Sequence, residues 1–205
     1  MTHSNLTASS VAEAADSRRS VRKFTSEPIL ASDLRELVRL AGRAPSAFNV
    51  QPWRFVVATD AALKARLREA AYGQQQVTGA PAVIVLYSDM RDALATLDEA
   101  IHPDVQGEKR EAQKKSVLGS TGRDDDEREA WGARQSGIAL GYLLLAAEGM
   151  GLGTSPMLGF QPEKVKEVLG LPPHVHIPAM IAVGYPAEEG FRSHRHEVER
   201  IATFR

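Results

Sequence analysis

Between Ala130 and Gly149 the chain carries Ile138, Leu140, Leu143, Leu144, Leu145 and Ala147, which on a helix cover nearly every face. Such a helix has no wet side to spare, so the rest of the chain has to enclose it. Its uncharged run is shorter than the ~20 apolar residues that cross a bilayer, so it reads as a buried central helix. Two other stretches need the same enclosure. Ala80 to Tyr87 is continuously apolar and β-branched, as a strand covered on both faces would be, with Pro81 at its start, and Ile177 to Tyr185 reads as a second apolar strand. A chain of 205 residues with 43% hydrophobic content can supply one such core, so residues 10–205 read as a single domain.

Around that core the pattern alternates. Ser10 and Glu13 have capping-box spacing for a helix running to about Ser17, and the polar residues 1–9 read as a disordered tail without a secretory leader. Leu34, Leu37, Val38 and Ala41 repeat at helical spacing behind Ser32 and Asp33, and Gly42 ends that helix. Trp53 to Ala58 is a strand, Asp60 to Ala71 a helix and Pro162 to Leu169 a short helix. From Asp89 to Glu129 the composition shifts, with Lys109, Arg110, Lys114 and Lys115 set against Asp124-Asp125-Asp126-Glu127. That stretch reads as a helical insertion, either a lid over a site or a solvated excursion. Gly149, Gly151 and Gly153 lead into a loop from Thr154 to Phe160, whose small residues let backbone N–H groups approach a ligand. These glycines follow a helix instead of a strand, so they are not a dinucleotide fingerprint. Val198 to Phe204 reads as a last strand.

Composition removes whole classes of chemistry. Without cysteine there is no disulfide, thiolate nucleophile or Cys-ligated metal, and a cytoplasmic setting is expected. A formal net charge of −1 gives no global field for nucleic acid or an anionic membrane, so neither is expected as a partner. No Ser-His-Asp grouping or Gly-X-Ser-X-Gly elbow occurs. His174/His176 and His194/His196 would each point to one face in extended chain, but a metal there needs a carboxylate or third His in register, and no metal site is assigned.

Two stretches carry recognisable chemistry. In Arg18-Arg19-Ser20-Val21-Arg22-Lys23-Phe24 four of seven residues are cationic. Arg forks bind phosphate bidentately, although the same run would also serve as a solvated face. In Ala44 to Phe55, Pro45 and Pro52 stiffen a loop that feeds a strand. Asn49 and Gln51 offer donors and acceptors to a flat heterocycle, with Phe48 and Trp53 as apolar walls; an ordinary Pro-rich turn is the alternative.

Taken with Gly153-Thr154-Ser155-Pro156-Met157-Leu158-Gly159-Phe160, these motifs resemble, in order and spacing, the nitroreductase family of FMN-dependent oxidoreductases. The resemblance implies an α+β fold with a mostly antiparallel sheet wrapped by helices. It also implies an intertwined homodimer, built on the long helix, whose C-terminal segments reach across to the partner, with two FMN sites at the interface. Arg18, Arg19, Ser20, Arg195 and Arg192 would hold the FMN phosphate, and Arg22 would sit by the N1/O2 edge of the ring. Pro45, Ser46, Ala47, Phe48 and Asn49 would come from the other subunit, with Gln51 also near the flavin. Pro156 and Met157 would pack on a ring face, and a backbone N–H near Leu158 or Gly159 would point at N5. Some branches carry Glu where this chain has Leu158, so no carboxylate role is carried over. In the tail Arg192 and Arg195 match the branch with Arg-X-X-Arg, and Ser193-His194-Arg195 departs from the Lys-X-Arg of enteric members. The implied activity is a ping-pong reduction of nitroaromatic or quinone acceptors by NADH or NADPH. The alternatives are dehalogenation, dehydrogenation or flavin breakdown on the same fold, or a non-enzymatic flavin or anion carrier.

Overall fold

Four strands form one antiparallel sheet in the order β1-β2-β4-β3, where β1 is Trp53–Ala58, β2 Ala82–Ser88, β3 Gly153–Met157 and β4 His176–Gly184. The structure is a computed structural model and describes residues 10–205; the expected tail at 1–9 lies outside the described residues. The central pair, β2 and β4, alternates strictly. Ala82, Ile84 and Leu86 share one face with Ala179, Ile181 and Val183, and Val83 and Val85 share the other with Met180 and Ala182. Both faces are covered, which is why the strands read as unbroken apolar runs. On the first face lie α2 (Ala31–Ala41) and α8 (Asp125–Gly149), and on the second α3 (Ala61–Ala70), α4 (Gln75–Gly79) and α9 (Pro162–Leu169). The architecture is the expected α+β one.

Helix α8 differs from its expected form at both levels. It starts at Asp125, with Asp124 as N-cap accepting from the Glu127 N–H at 2.9 Å, so the acidic run ascribed to the insertion is the helix's first turn. Carboxylates there complement the positive end of the helix dipole. Its enclosure is also one-sided. Gly132, Ser136, Ala139, Leu143 and Ala147 form a buried stripe of mostly small residues, while Ile138 and Tyr142 stay 40% and 43% exposed beside exposed Gly137 and Gly141. A stripe from Gly137 to Tyr142 is therefore left uncovered by the described residues.

Two further expectations are corrected. Gly153–Met157, read as a loop, is the edge strand β3, because the open edge of β4 offers ladder partners that local propensity does not foretell; Pro156, which has no N–H, is tolerated at an edge. Val198–Ile201 is a single helical turn, α10, and not a strand. Between β2 and α8, helices α5 (Met90–Ala95), α6 (Leu97–Ala100) and α7 (Gly107–Ser120) carry a small core of their own, in which Met90, Leu97, Ile101 and Val117 pack with Val50. The remaining helix, α1 (Val11–Ser17), has the capping box between Ser10 and Glu13.

Where β2 ends, a buried polar cluster ties three elements together. Glu129 of α8 accepts the Met90 N–H at 2.7 Å and the Ser88 hydroxyl at 2.8 Å, and His174 Nε2 lies 3.0 Å from Asp89 Oδ1. The Asp89 N–H in turn reaches the Pro52 carbonyl at 2.9 Å, so the cluster braces the loop ahead of β1. Burial raises the Glu129 pKa above the usual carboxylate value, against the two hydrogen bonds that lower it. A carboxyl with a raised folded pKa favours the fold below its unfolded pKa, and that contribution is lost as pH rises through the folded value. The isosteric Glu129→Gln should therefore flatten the fall in melting temperature as pH rises above the ordinary carboxylate range, measured by thermal denaturation across pH. Gly132→Ala should lower stability by about 1–3 kcal/mol in a denaturant titration. Its Cβ would meet the Ser88 hydroxyl and stand 2.7 Å from Met90 Cγ, where α8 packs on the end of β2.

Candidate functional site

The Arg18–Arg22 segment leaves α1 and is stitched to the edge of the sheet. Ser20 bridges to Thr154 in parallel, and the Val21 N–H donates to the Thr154 carbonyl at 2.9 Å. Further on, the Thr25 N–H reaches the Tyr185 carbonyl and the Ala187 N–H the Lys23 carbonyl, both at 2.9 Å, so the segment is clamped between β3 and the chain leaving β4. The tail then turns back at Gly190, whose φ of +70° suits glycine and where an added Cβ would stand 3.0 Å from the Ser20 carbonyl oxygen.

This close return creates a cavity of about 220 Å³ lined by Arg18, Arg19, Ser20, Arg22, Phe191, Arg192, Ser193 and Arg195. The five residues expected to hold a phosphate are brought together, and Arg22, expected at the ring edge, lines the same cavity, which has five guanidiniums and no carboxylate in its lining. Arg19 Nη1 is held by the Asp16 carbonyl at 2.5 Å, the Arg18 carbonyl at 2.9 Å and Ser193 Oγ at 3.4 Å. Arg18 Nη1 is buried and has no hydrogen-bond partner among the described residues. A buried cationic donor without an acceptor costs its full desolvation, and an anion in the cavity removes that cost. Phe191 and Ser193 were not singled out from sequence as lining residues, because only the Gly190 turn brings them there.

Farther along β3, Pro156 is half-buried and Leu158 is 78% exposed, whereas the Met157 side chain is buried in the core beside Met180. Met157 can thus offer a ligand its backbone and not its thioether. Gly159 is exposed, and its carbonyl is fixed by Gln74 Nε2 at 2.6 Å, while Gln76 Nε2 holds Gln74 Oε1 at 2.9 Å. The Gly159 N–H has no protein acceptor among the described residues.

The loop before β1 is strained. Phe48, Asn49 and Gln51 all have positive φ, at 55°, 58° and 49°, a region that costs non-glycine residues about 1–3 kcal/mol each. Many contacts hold them there. Ser46 Oγ accepts the Gln51 N–H at 2.9 Å, Gln135 Oε1 accepts the Ala47 N–H at 3.0 Å, Asn49 Nδ2 donates to the Ala100 carbonyl at 2.7 Å and Arg54 Nη1 to the Gln51 carbonyl at 2.9 Å. Asn49 Nδ2 is therefore committed within the chain, and Pro45, Ala47 and Phe48 are left exposed at the surface.

These features do not meet within one chain. The loop precedes Trp53, which pairs with Ser88 at one end of the sheet, while Ser20 and Thr154 lie level with Val183 and Ala82 at the other end and the opposite edge. Three strand spacings across and six residues along put the two at diagonal corners, roughly 25 Å apart. His174, read from sequence as half of a His-X-His pair, instead finds Asp89 and Glu129 from distant elements, all three within 4.8 Å.

A Thermus thermophilus protein named NADH dehydrogenase is 55% identical over 193 residues, 94% of each chain. The solved structure of a nitroreductase family protein from Streptococcus pneumoniae superimposes with a TM-score of 0.84 at 28% identity, covering 96% of this chain and 100% of that one. A protein of Exiguobacterium sibiricum solved in complex with FMN gives a TM-score of 0.84 at 26% identity over 97% and 99% of the two chains. The family model Nitroreductase matches residues 15–185, which takes in the Arg18–Arg22 segment, the strained loop and β3, and the chain belongs to the nitroreductase family.

Proposed function

We propose that the chain is an FMN-dependent oxidoreductase that draws on NADH or NADPH and works as a homodimer. The observation that carries this reading is the arginine cavity with its unpartnered Arg18 Nη1, a cradle for a terminal phosphate. The FMN of the Exiguobacterium protein and the name of the Thermus relative point to the same cofactor and donor. Arg18, Arg19, Ser20, Arg192 and Arg195 hold the phosphate. Arg22, which lines the same cavity and whose backbone N–H donates to Glu188 Oε1, would set a cation beside the N1/O2 edge of the ring, where negative charge gathers on reduction. Pro156 would pack on the ring, and the Gly159 N–H, in a peptide whose carbonyl Gln74 Nε2 fixes, would donate towards N5.

The diagonal separation supports the homodimer. Residues Pro45 to Asn49 and Gln51 cannot reach the phosphate site of their own chain, so a second copy supplies them, docked on the exposed Ile138/Tyr142 stripe of α8. The exposed tail, with Phe191, Val198, Ile201 and Phe204 largely bare, reaches across to the other subunit. Among the described residues no helix is long and apolar enough to cross a membrane.

The bound flavin supplies hydride acceptance and donation; the protein's part is to orient it, exclude water from one face and leave the other open. Donor and acceptor would share that open face in turn, which predicts ping-pong kinetics, and exposed Leu158 beside it suits flat apolar acceptors such as nitroaromatics and quinones. No acid–base residue is assigned. The direct test is the visible spectrum of the purified protein, followed by anaerobic NADH and NADPH. A flavin band that bleaches with either donor is expected. A band that stays oxidised would make the protein a carrier, and no band after FMN is supplied would sink the assignment.

Two substitutions test the parts separately. Arg18→Ala should weaken FMN binding about tenfold or more, as loss of a charge-assisted hydrogen bond does, with dimerisation kept, by fluorescence titration and sedimentation. Ile138→Glu should give a folded monomer that has lost its flavin, by sedimentation and circular dichroism; a dimer that keeps flavin would place the interface elsewhere.

A further inference from the structure

Tyr72 holds a conformation that an aromatic residue rarely adopts. Helix α3 ends at Ala70, with Ala71 as its C-cap, and the chain then turns through Tyr72 at φ +53° and Gly73 at φ +73°. Left-handed backbone after a helix is ordinarily met by glycine or asparagine, and Gly73 fits that rule, whereas a bulky side chain there is strained. The fold takes little in return. Ala70 and Ala71 are buried, but Tyr72 is 66% exposed. Strain kept at a surface aromatic that adds little to the core points to a residue retained for what it touches outside the chain.

The turn that carries Tyr72 is held firmly. The Gly73 N–H donates to the Arg68 carbonyl and Arg68 Nε to the Gly73 carbonyl, both at 2.9 Å, which closes the turn on itself. The Gln161 N–H donates to the Ala70 carbonyl at 2.8 Å and Gln74 Nε2 to the Gly159 carbonyl at 2.6 Å, which ties the turn to the chain leaving β3. Tyr72 and the exposed Leu158 each lie within two residues of that Gln74–Gly159 joint, and Gly159 is the residue whose N–H is assigned above to N5 of the ring. Two bare apolar side chains thus belong to the proposed ring site, and one of them is flat. A tyrosine ring on a preset backbone has little freedom left to lose, so it can stack on a planar ligand at small entropic cost. An electron acceptor without a flat face, such as hexacyanoferrate, gains nothing from such a ring.

We propose that Tyr72 is a specificity-determining residue, whose ring stacks on flat aromatic acceptors at the open face of the flavin, with Leu158 as the second apolar contact. The proposal rests on the flavin assignment of the preceding section. The test uses the full-length, flavin-loaded protein, reduced anaerobically with one equivalent of NADH and mixed in a stopped-flow instrument with 1,4-naphthoquinone or with ferricyanide. Tyr72→Gly and Tyr72→Asn, both suited to the left-handed turn, are expected to melt no lower than the wild type. Each is expected to slow reoxidation by naphthoquinone about three- to tenfold, as loss of a stacking partner does, and to leave reoxidation by ferricyanide unchanged. Tyr72→Phe, which keeps the ring, is expected to match the wild type with both acceptors. Naphthoquinone reacting with the glycine and asparagine variants at the wild-type rate would overturn the proposal, and so would variants that slow both acceptors alike or a phenylalanine variant as slow as the glycine one. In each of these cases the bleaching of the flavin by NADH leaves the cofactor assignment standing. If no flavin is bound or reduced, both fall together.

Discussion

The β2–β4 pair has apolar cover on both faces, so its backbone groups can be satisfied only within the sheet, and this requirement propagates outward. The free edge of β4 draws in Gly153–Met157, a segment with little strand propensity of its own. The new edge draws in Ser20 and Val21 through Thr154, and with them the arginines on either side. The position of the phosphate cavity is thus set by hydrogen bonding that starts two strands away in the core. Nothing in the Arg18–Arg22 run itself would hold it there.

Much of this was legible from residue patterns where one local signal sufficed. The strand at Trp53–Ala58 and the helix at Pro162–Leu169 have the bounds their spacing implied, and the Ser10/Glu13 capping box is present. Six of the eight residues lining the arginine cavity were named beforehand, the Arg18–Arg22 run from its charge and Arg192 and Arg195 from the resemblance. What escaped was whatever a distant partner decides. Edge pairing turned a small-residue loop into β3; helix-dipole chemistry moved the acidic run into α8; and the buried Asp89–Glu129–His174 cluster joins residues from three separate elements, with no spacing to betray it. The one-sided burial of α8 was hidden for a different reason: hydropathy counts apolar faces without saying which chain covers them.

Positive φ at Phe48, Asn49 and Gln51 was equally invisible, since none of the three is glycine. The strain is sustained because both sides of the loop are anchored. Ser46 and Arg54 tie it internally, while Gln135 of α8, the Ala100 carbonyl of α6 and the Asp89 N–H fix it to its surroundings. The same anchoring spends most of the loop's hydrogen-bonding capacity inside the chain. It therefore meets whatever lies beyond it as a preformed surface, with little ordering entropy left to lose.

The diagonal placement of the loop and the arginines has a genetic consequence. In the proposed dimer each site is assembled from the arginine corner of one chain and the loop corner of the other. A mixed dimer of one chain damaged only at the arginines and another damaged only at the loop would contain one doubly damaged site and one site with both corners intact. Two defective alleles of this kind would complement each other, whereas two alleles damaged at the same corner would not.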